Sequence, residues 1–237
     1  MNKSNVSPRF KARLAGVFQL LEGFASPFGQ VVLLGKFMVA GSASATAANI
    51  MARPELYRSG FAFCAIAVPL HIVWAYLMYD LLKPVKVSVA RIAVLVIIVG
   101  CAIQALSCVF YLAPLVLLQS GNSLVGLSQE QVQALAFALI KLNGVAYNVY
   151  LIFFGLWCLL TGYLIFRSTF LPRVLGLLLI IDGIGWMLYL SPPVAQQLFT
   201  FIAVAAGIAE FPLEFWLLIF AVNEARWKEQ AARAVCD

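Results

Sequence analysis

Along the 237-residue chain, apolar residues run together in long stretches separated by short polar breaks. A helix that crosses the bilayer hydrocarbon needs about 20 mostly apolar residues. Six stretches qualify: 14–38, 59–82, 89–118, 132–166, 173–191 and 197–222. The breaks carry turn and boundary residues: Arg53-Pro54, Lys83-Pro84, the run from Gln119 to Ser123, Leu171-Pro172, and Ser191-Pro192-Pro193. The fourth stretch is overlong, which predicts a helix that tilts or extends beyond the bilayer. The short alternating segments of an outer-membrane barrel are absent. No internal repeat or long linker divides the sequence. The pattern predicts an all-α polytopic membrane bundle of six helices, one integral membrane domain over residues 1–237.

Composition agrees, with 63% hydrophobic and 11% charged residues and a mean hydropathy of +0.96. A soluble domain carries about 45–50% apolar and about 25% charged residues. The net charge of +6 would suit a nucleic-acid binder, but the cations fall mainly in the breaks, where they orient helices and meet lipid headgroups. Membrane lipids are therefore expected partners and nucleic acid is not. One side of the predicted bundle holds Lys3, Arg9, Lys11, Arg13, Lys83, Lys86, Arg91, Arg167, Arg173, Arg226, Lys228 and Arg233; the other holds only Arg53 and Arg58. This asymmetry predicts a membrane protein with both termini cytoplasmic, a parity that an even number of spans satisfies.

The small residues at 43–48 follow an apolar run and a basic N-terminus, as at a signal-peptide cleavage site. The run from Leu14 exceeds an ordinary signal core and contains Glu22 and Lys36, which favours a retained first helix. Cys64, Cys101, Cys108, Cys158 and Cys236 include no C-x-x-C pair, and four lie in apolar spans. There Cys acts as a small hydrophobe. With one histidine in the chain, neither a disulfide nor a metal site is expected. No cofactor-binding motif is present.

Ionisable groups inside spans are costly and mark functional sites by default. Glu210 and Glu214 are four apart in AGIAEFPLEFWLLIF and so share one helix face. Ala203 and Gly207 lie on that face too, which predicts that the face meets a partner helix. By depth, Asp182, Glu210 and His71 fall near mid-membrane, with Glu214 and Glu22 displaced toward the cytoplasmic side. Lys36 and Lys141 lie near outer helix ends, where snorkelling accounts for either. The candidate polar site is Glu210, Asp182, Glu214, Glu22, His71, Lys141 and Asn148. Alternatively, the carboxyls hydrogen-bond one another or Asn143, Asn148, Gln104, Tyr147 and Tyr150 and fix helix register. Pro212 removes a backbone N–H between the two glutamates and loosens that helix.

FGLWCLLTGYLIFRSTFLPRVLGLLLIIDGIGWML at 154–188 resembles the bacterial membrane family called domain of unknown function 4386. RLAGVFQLLEG at 13–23, LYRSG at 56–60, LLKPV at 81–85 and AEFPLEFWLL at 209–218 extend the resemblance from about Arg13 to about Asn223. The resemblance implies an integral membrane protein without an assigned activity. It also implies a glutamate ahead of W-L-L in the last helix, here Glu210 before Trp216–Leu218. Glu214 stands where members often have an apolar residue.

Three functions remain open. The first is a non-catalytic sensor, accessory subunit or stress factor. The second is a small proton-linked transporter or permease, disfavoured by the lack of an internal repeat. The third is an intramembrane enzyme that protonates a lipid or isoprenoid from a buried acid. A small apolar or cationic ligand is the further partner such a site would accept. The sequence does not specify the oligomeric state.

Overall fold

The computed structural model describes residues 6–120 and 126–234; Lys3, the turn residues Gly121 to Ser123, and Cys236 lie outside them. No strand occurs among the described residues. The helices are α1 (Pro8–Pro27), α2 (Ala43–Ala52), α3 (Pro54–Leu82), α4 (Val87–Gln119), α5 (Gln129–Arg167), α6 (Arg173–Met187), α7 (Pro192–Gln197), α8 (Phe199–Ile219) and α9 (Glu224–Arg233). Among the described residues five helices are long and apolar enough to cross a membrane: α3, α4, α5, α8, and α6 with its 3₁₀ extension to Leu190. At 39 residues α5 is about 58 Å long, well beyond the roughly 30 Å hydrocarbon core.

The first predicted span is not among those five. Its residues form α1 and then a π-helical turn, Phe28–Leu33. Arg9, Lys11, Arg13, Gln19 and Glu22 dilute the apolar character of α1, and Pro27 has no N–H to continue the α ladder. The small-residue run at 43–48 becomes the start of α2, with Ser42 Oγ accepting from Ala45 N at 3.2 Å. Ser191 and its two prolines open α7, where Pro at the first helical positions is pre-set for the turn.

Contacts divide the chain into two compact units. The first comprises Met1–Leu20, Leu70–Cys101 and Val149–Asp237; the second comprises Leu21–Pro69 and Ala102–Asn148.

In the first unit, glycines fix how α5 meets α6. A Cβ on Gly162 would stand 2.8 Å from Gly176 O, and one on Gly176 would stand 2.5 Å from Phe166 N. Gly155 and Gly183 repeat the contact seven residues away on each helix, so the two backbones run antiparallel in near contact. Gly16 of α1 meets α8 in the same manner, its Cβ position lying 3.1 Å from Glu214 O. The buried stripe of α8 is Ile202, Ala206, Ala209, Leu213 and Leu217. Ala221, at φ 56°, takes the left-handed conformation that closes α8, its N–H donating to Trp216 O at 2.9 Å. Helix α9 is then pinned where Trp227 Nε1 donates to Leu81 O at 2.8 Å. Asp80, at the end of α3, pairs with both Lys11 and Lys83.

The core of the second unit is built on Phe37, Ile50, Tyr57, Tyr111, Leu115 and Ile140. The Phe37 and Tyr57 rings meet edge to face at 5.1 Å, and Tyr57 Oη donates to Tyr111 O at 2.6 Å.

Candidate functional site

The glycine contact between α5 and α6 places the buried acid. Asp182 directly precedes Gly183, and Cys158 lies three residues beyond Gly155, so the close approach sets the Asp182 carboxyl against Cys158. Glu210 of α8 and Trp186, one turn along α6, complete the group beside that carboxyl. Asp182 is 1% exposed and Cys158 is fully buried, whereas Glu210 is half-buried. Two carboxyls hydrogen-bond only while a proton lies between them. A proton shared between Asp182 and Glu210 would join the two carboxyls across the α6–α8 seam.

His71 lies in the same unit within an aromatic box. Tyr150 Oη is 3.2 Å from His71 Nδ1, and the rings of Trp74, Phe154 and Trp157 stand 4.9, 5.6 and 5.7 Å away. Phe154 also packs against Trp186 at 6.0 Å, so one aromatic column runs from His71 to the residue beside Asp182. Between α3, α4 and α5, beside Trp157 and Thr161, the free space is about 10 Å³. That is room for about one water at most. Glu214 is buried one turn beyond Glu210, with its backbone against Gly16.

The remaining candidates belong to the second unit. Lys141 is exposed, its ammonium 4.8 Å from the centre of the Phe137 ring on the same helix. Lys36 is exposed and Asn148 half-exposed. Glu22 is buried, one turn before Ser26 on α1. Around Ser26 lies a network that was not expected as a site. Gln104 Nε2 donates to Ser26 Oγ at 3.2 Å, and the Ser26 and Tyr147 hydroxyls are 3.1 Å apart. Gln30 Nε2 donates to Asn143 Oδ1 at 2.6 Å, and Asn143 Nδ2 donates to Ser107 O at 2.8 Å. The signal was present as Gln19, Glu22, Ser26 and Gln30, spaced three, four and four along an otherwise apolar run. Gln30 sits within the π-helical turn, a feature found often at functional positions.

The reading of Ala203 and Gly207 as contact markers is corrected. Ala203 is exposed, and the Gly207 Cβ position meets only the Phe211 ring of its own helix. The buried stripe of α8 runs one position away, through Ile202, Ala206 and Ala209. Glu210 reaches the seam from the margin of that stripe.

Among the described residues no group of three His, Cys, Asp or Glu is placed to hold a metal. Two groups beyond the span ends respond to neighbours. The Asp80 carboxylate holds the Lys83 ammonium above its ordinary value, and Lys228 draws the Glu224 carboxyl below its own.

A family model described as a domain of unknown function (DUF4386) matches residues 14–221. The chain belongs to that family. The matched region takes in α3 to α6 and the whole of α8, so the carboxyl pair and the aromatic column both fall within the DUF4386 domain. No curated protein and no solved structure matches the chain. With its apolar helices, this DUF4386 member is a multi-pass membrane protein.

Proposed function

We propose that the chain is a six-span, non-catalytic protein of the bacterial cytoplasmic membrane, a sensor or accessory component. In it the Asp182–Glu210 pair is a proton-dependent latch between α6 and α8. The observation that carries this reading is the meeting of the two carboxyls in the seam between α6 and α8, beside the fully buried Cys158. In this reading α1 and its π-helical extension form the sixth span. The excess of Lys and Arg on one side of the bundle puts both termini in the cytoplasm. With a proton shared, the carboxyls attract; with both ionised, they repel.

The test is thermal unfolding in detergent as pH is raised, for wild type and Glu210→Gln. The wild type is expected to lose stability as the shared proton leaves, and Glu210→Gln is expected to lack that response. A wild-type curve identical to that of the variant would refute the latch.

A proton-linked transporter is the second reading, favoured because Glu210 is partly accessible while Asp182 is sealed. It predicts proton flux in proteoliposomes that collapses in Glu210→Gln, whereas the latch predicts background flux in both.

A further inference from the structure

Where α5 ends and α6 begins, the first unit opens a cleft of about 650 Å³. Its walls come from the α5–α6 loop, from Arg173 at the start of α6, and from α9. Helix α9 contributes Arg226, Gln230 and Arg233. Three guanidiniums thus line one concavity. Glu229 is the carboxylate in the wall, and it pairs with Arg233 at 2.6 Å. Among the described residues Arg173 and Arg226 have no carboxylate partner.

The cleft is braced. Gln230 Oε1 accepts from Thr169 N at 3.0 Å and from Thr169 Oγ1 at 2.9 Å, tying α9 to the loop. Arg226 Nη1 donates to Thr169 O at 3.4 Å, and Asn223 N donates to Phe170 O at 3.2 Å. Arg173 opens one candidate span, and α9 follows directly on another, so both walls lie where membrane helices end. That is the depth of lipid headgroups, where basic residues meet anionic lipid.

We propose that this cleft binds a phosphate group, carried by an anionic phospholipid headgroup or by a soluble phosphate compound. Guanidinium forks match phosphate oxygens two at a time, which makes arginine the residue suited to the task. The volume exceeds that of a bare phosphate and lies within the roughly 300–1,000 Å³ of small-molecule sites, so a headgroup fits.

The test is calorimetric titration of the full chain in a phosphate-free maltoside detergent. One arm adds short-chain phosphatidylglycerol; the other adds inorganic pyrophosphate. Saturable binding in the first arm alone identifies a lipid headgroup, and saturable binding in the second a soluble phosphate. In either case Arg173→Gln with Arg226→Gln is expected to weaken binding about tenfold or more (about 1.4 kcal/mol). Arg91→Gln, which removes a cation from α4 outside the cleft, is expected to leave it unchanged. If circular dichroism shows the double variant unfolded, Arg173→Gln alone carries the comparison. Absence of saturable binding in both arms, or an equal loss in Arg91→Gln, would overturn the proposal.

Discussion

Gly155 and Gly183 face each other so closely that a Cβ on the first would stand 2.8 Å, and on the second 2.7 Å, from the other's carbonyl oxygen. Backbone cannot retreat as a flexible side chain can. Gly183→Ala is therefore expected to force α5 and α6 apart at about 1–3 kcal/mol. Gly144, which has nothing within 4 Å of its Cβ position, is the control. Gly144→Ala is expected to be neutral or to stabilise by up to about 1 kcal/mol through restriction of the unfolded chain. Thermal unfolding midpoints in detergent compare the two, and equal shifts would contradict the close packing.

The carboxyl pair makes its own prediction. Glu210→Ala removes the partner that reaches Asp182 from α8 and leaves a buried acid short of one contact, at about 1–3 kcal/mol. Glu210→Gln retains an amide donor and is expected to cost less. Denaturant unfolding ranks the two, and a reversed order would show that Glu210 contributes bulk alone.

Gly60 and Tyr111 are coupled in the second unit. A Cβ on Gly60 would collide with Tyr111 Oη, the hydroxyl that donates to Gly29 O at 3.3 Å. Gly60→Ala is expected to destabilise by about 1–3 kcal/mol. Tyr111→Phe frees that space, so the double variant is expected to be more stable than the sum of the two singles implies. Strict additivity in the cycle would place the hydroxyl elsewhere.

Raising the pH tests the ion pair at the end of α3. Hydrogen bonding to Asp80 holds the Lys83 ammonium above its ordinary value of 10.5. A group with a raised folded-state value stabilises fully below the unfolded value and loses that contribution as pH climbs through the folded one. The loss therefore falls above about pH 10.5. Lys83 is 42% exposed, so solvent screening limits the effect to about 1 kcal/mol or less. Asp80→Asn is expected to flatten that part of the stability curve, as followed by circular dichroism.

What the sequence disclosed follows from what each signal depends on. Apolar length is local, so α3, α4, α5, α6 and α8 fall on the predicted stretches. Small residues mark a contact on α5 and α6, where each helix carries two glycines seven apart and the other backbone is there to receive them. The same reasoning misled at Ala203 and Gly207, because a small residue marks a contact only where a partner arrives. Asp182 and Glu210 were legible as intramembrane acids, but their meeting depends on α8 packing against α6, which no local pattern encodes. The network of Ser26, Gln30, Gln104, Asn143 and Tyr147 was harder to see. Neutral amides and hydroxyls scarcely interrupt an apolar run, and the π-helical turn at Gln30 shifts the helical register that spacing arguments assume.

The paired spacing of Gly155 with Gly162 and Gly183 with Gly176 acts as a mechanical key. A slide of α6 along α5 by one turn would drive side chains into both notches at once; only a seven-residue slip would realign one of them. The α5–α6 pair is therefore locked against sliding. Helix α8 meets α6 without such a notch: Gly207 faces only its own Phe211, and a Cβ on Gly185 would lie at an ordinary 3.6 Å from Ile202. The seam that lacks a key is the one in which a carboxyl on α6 meets a carboxyl on α8.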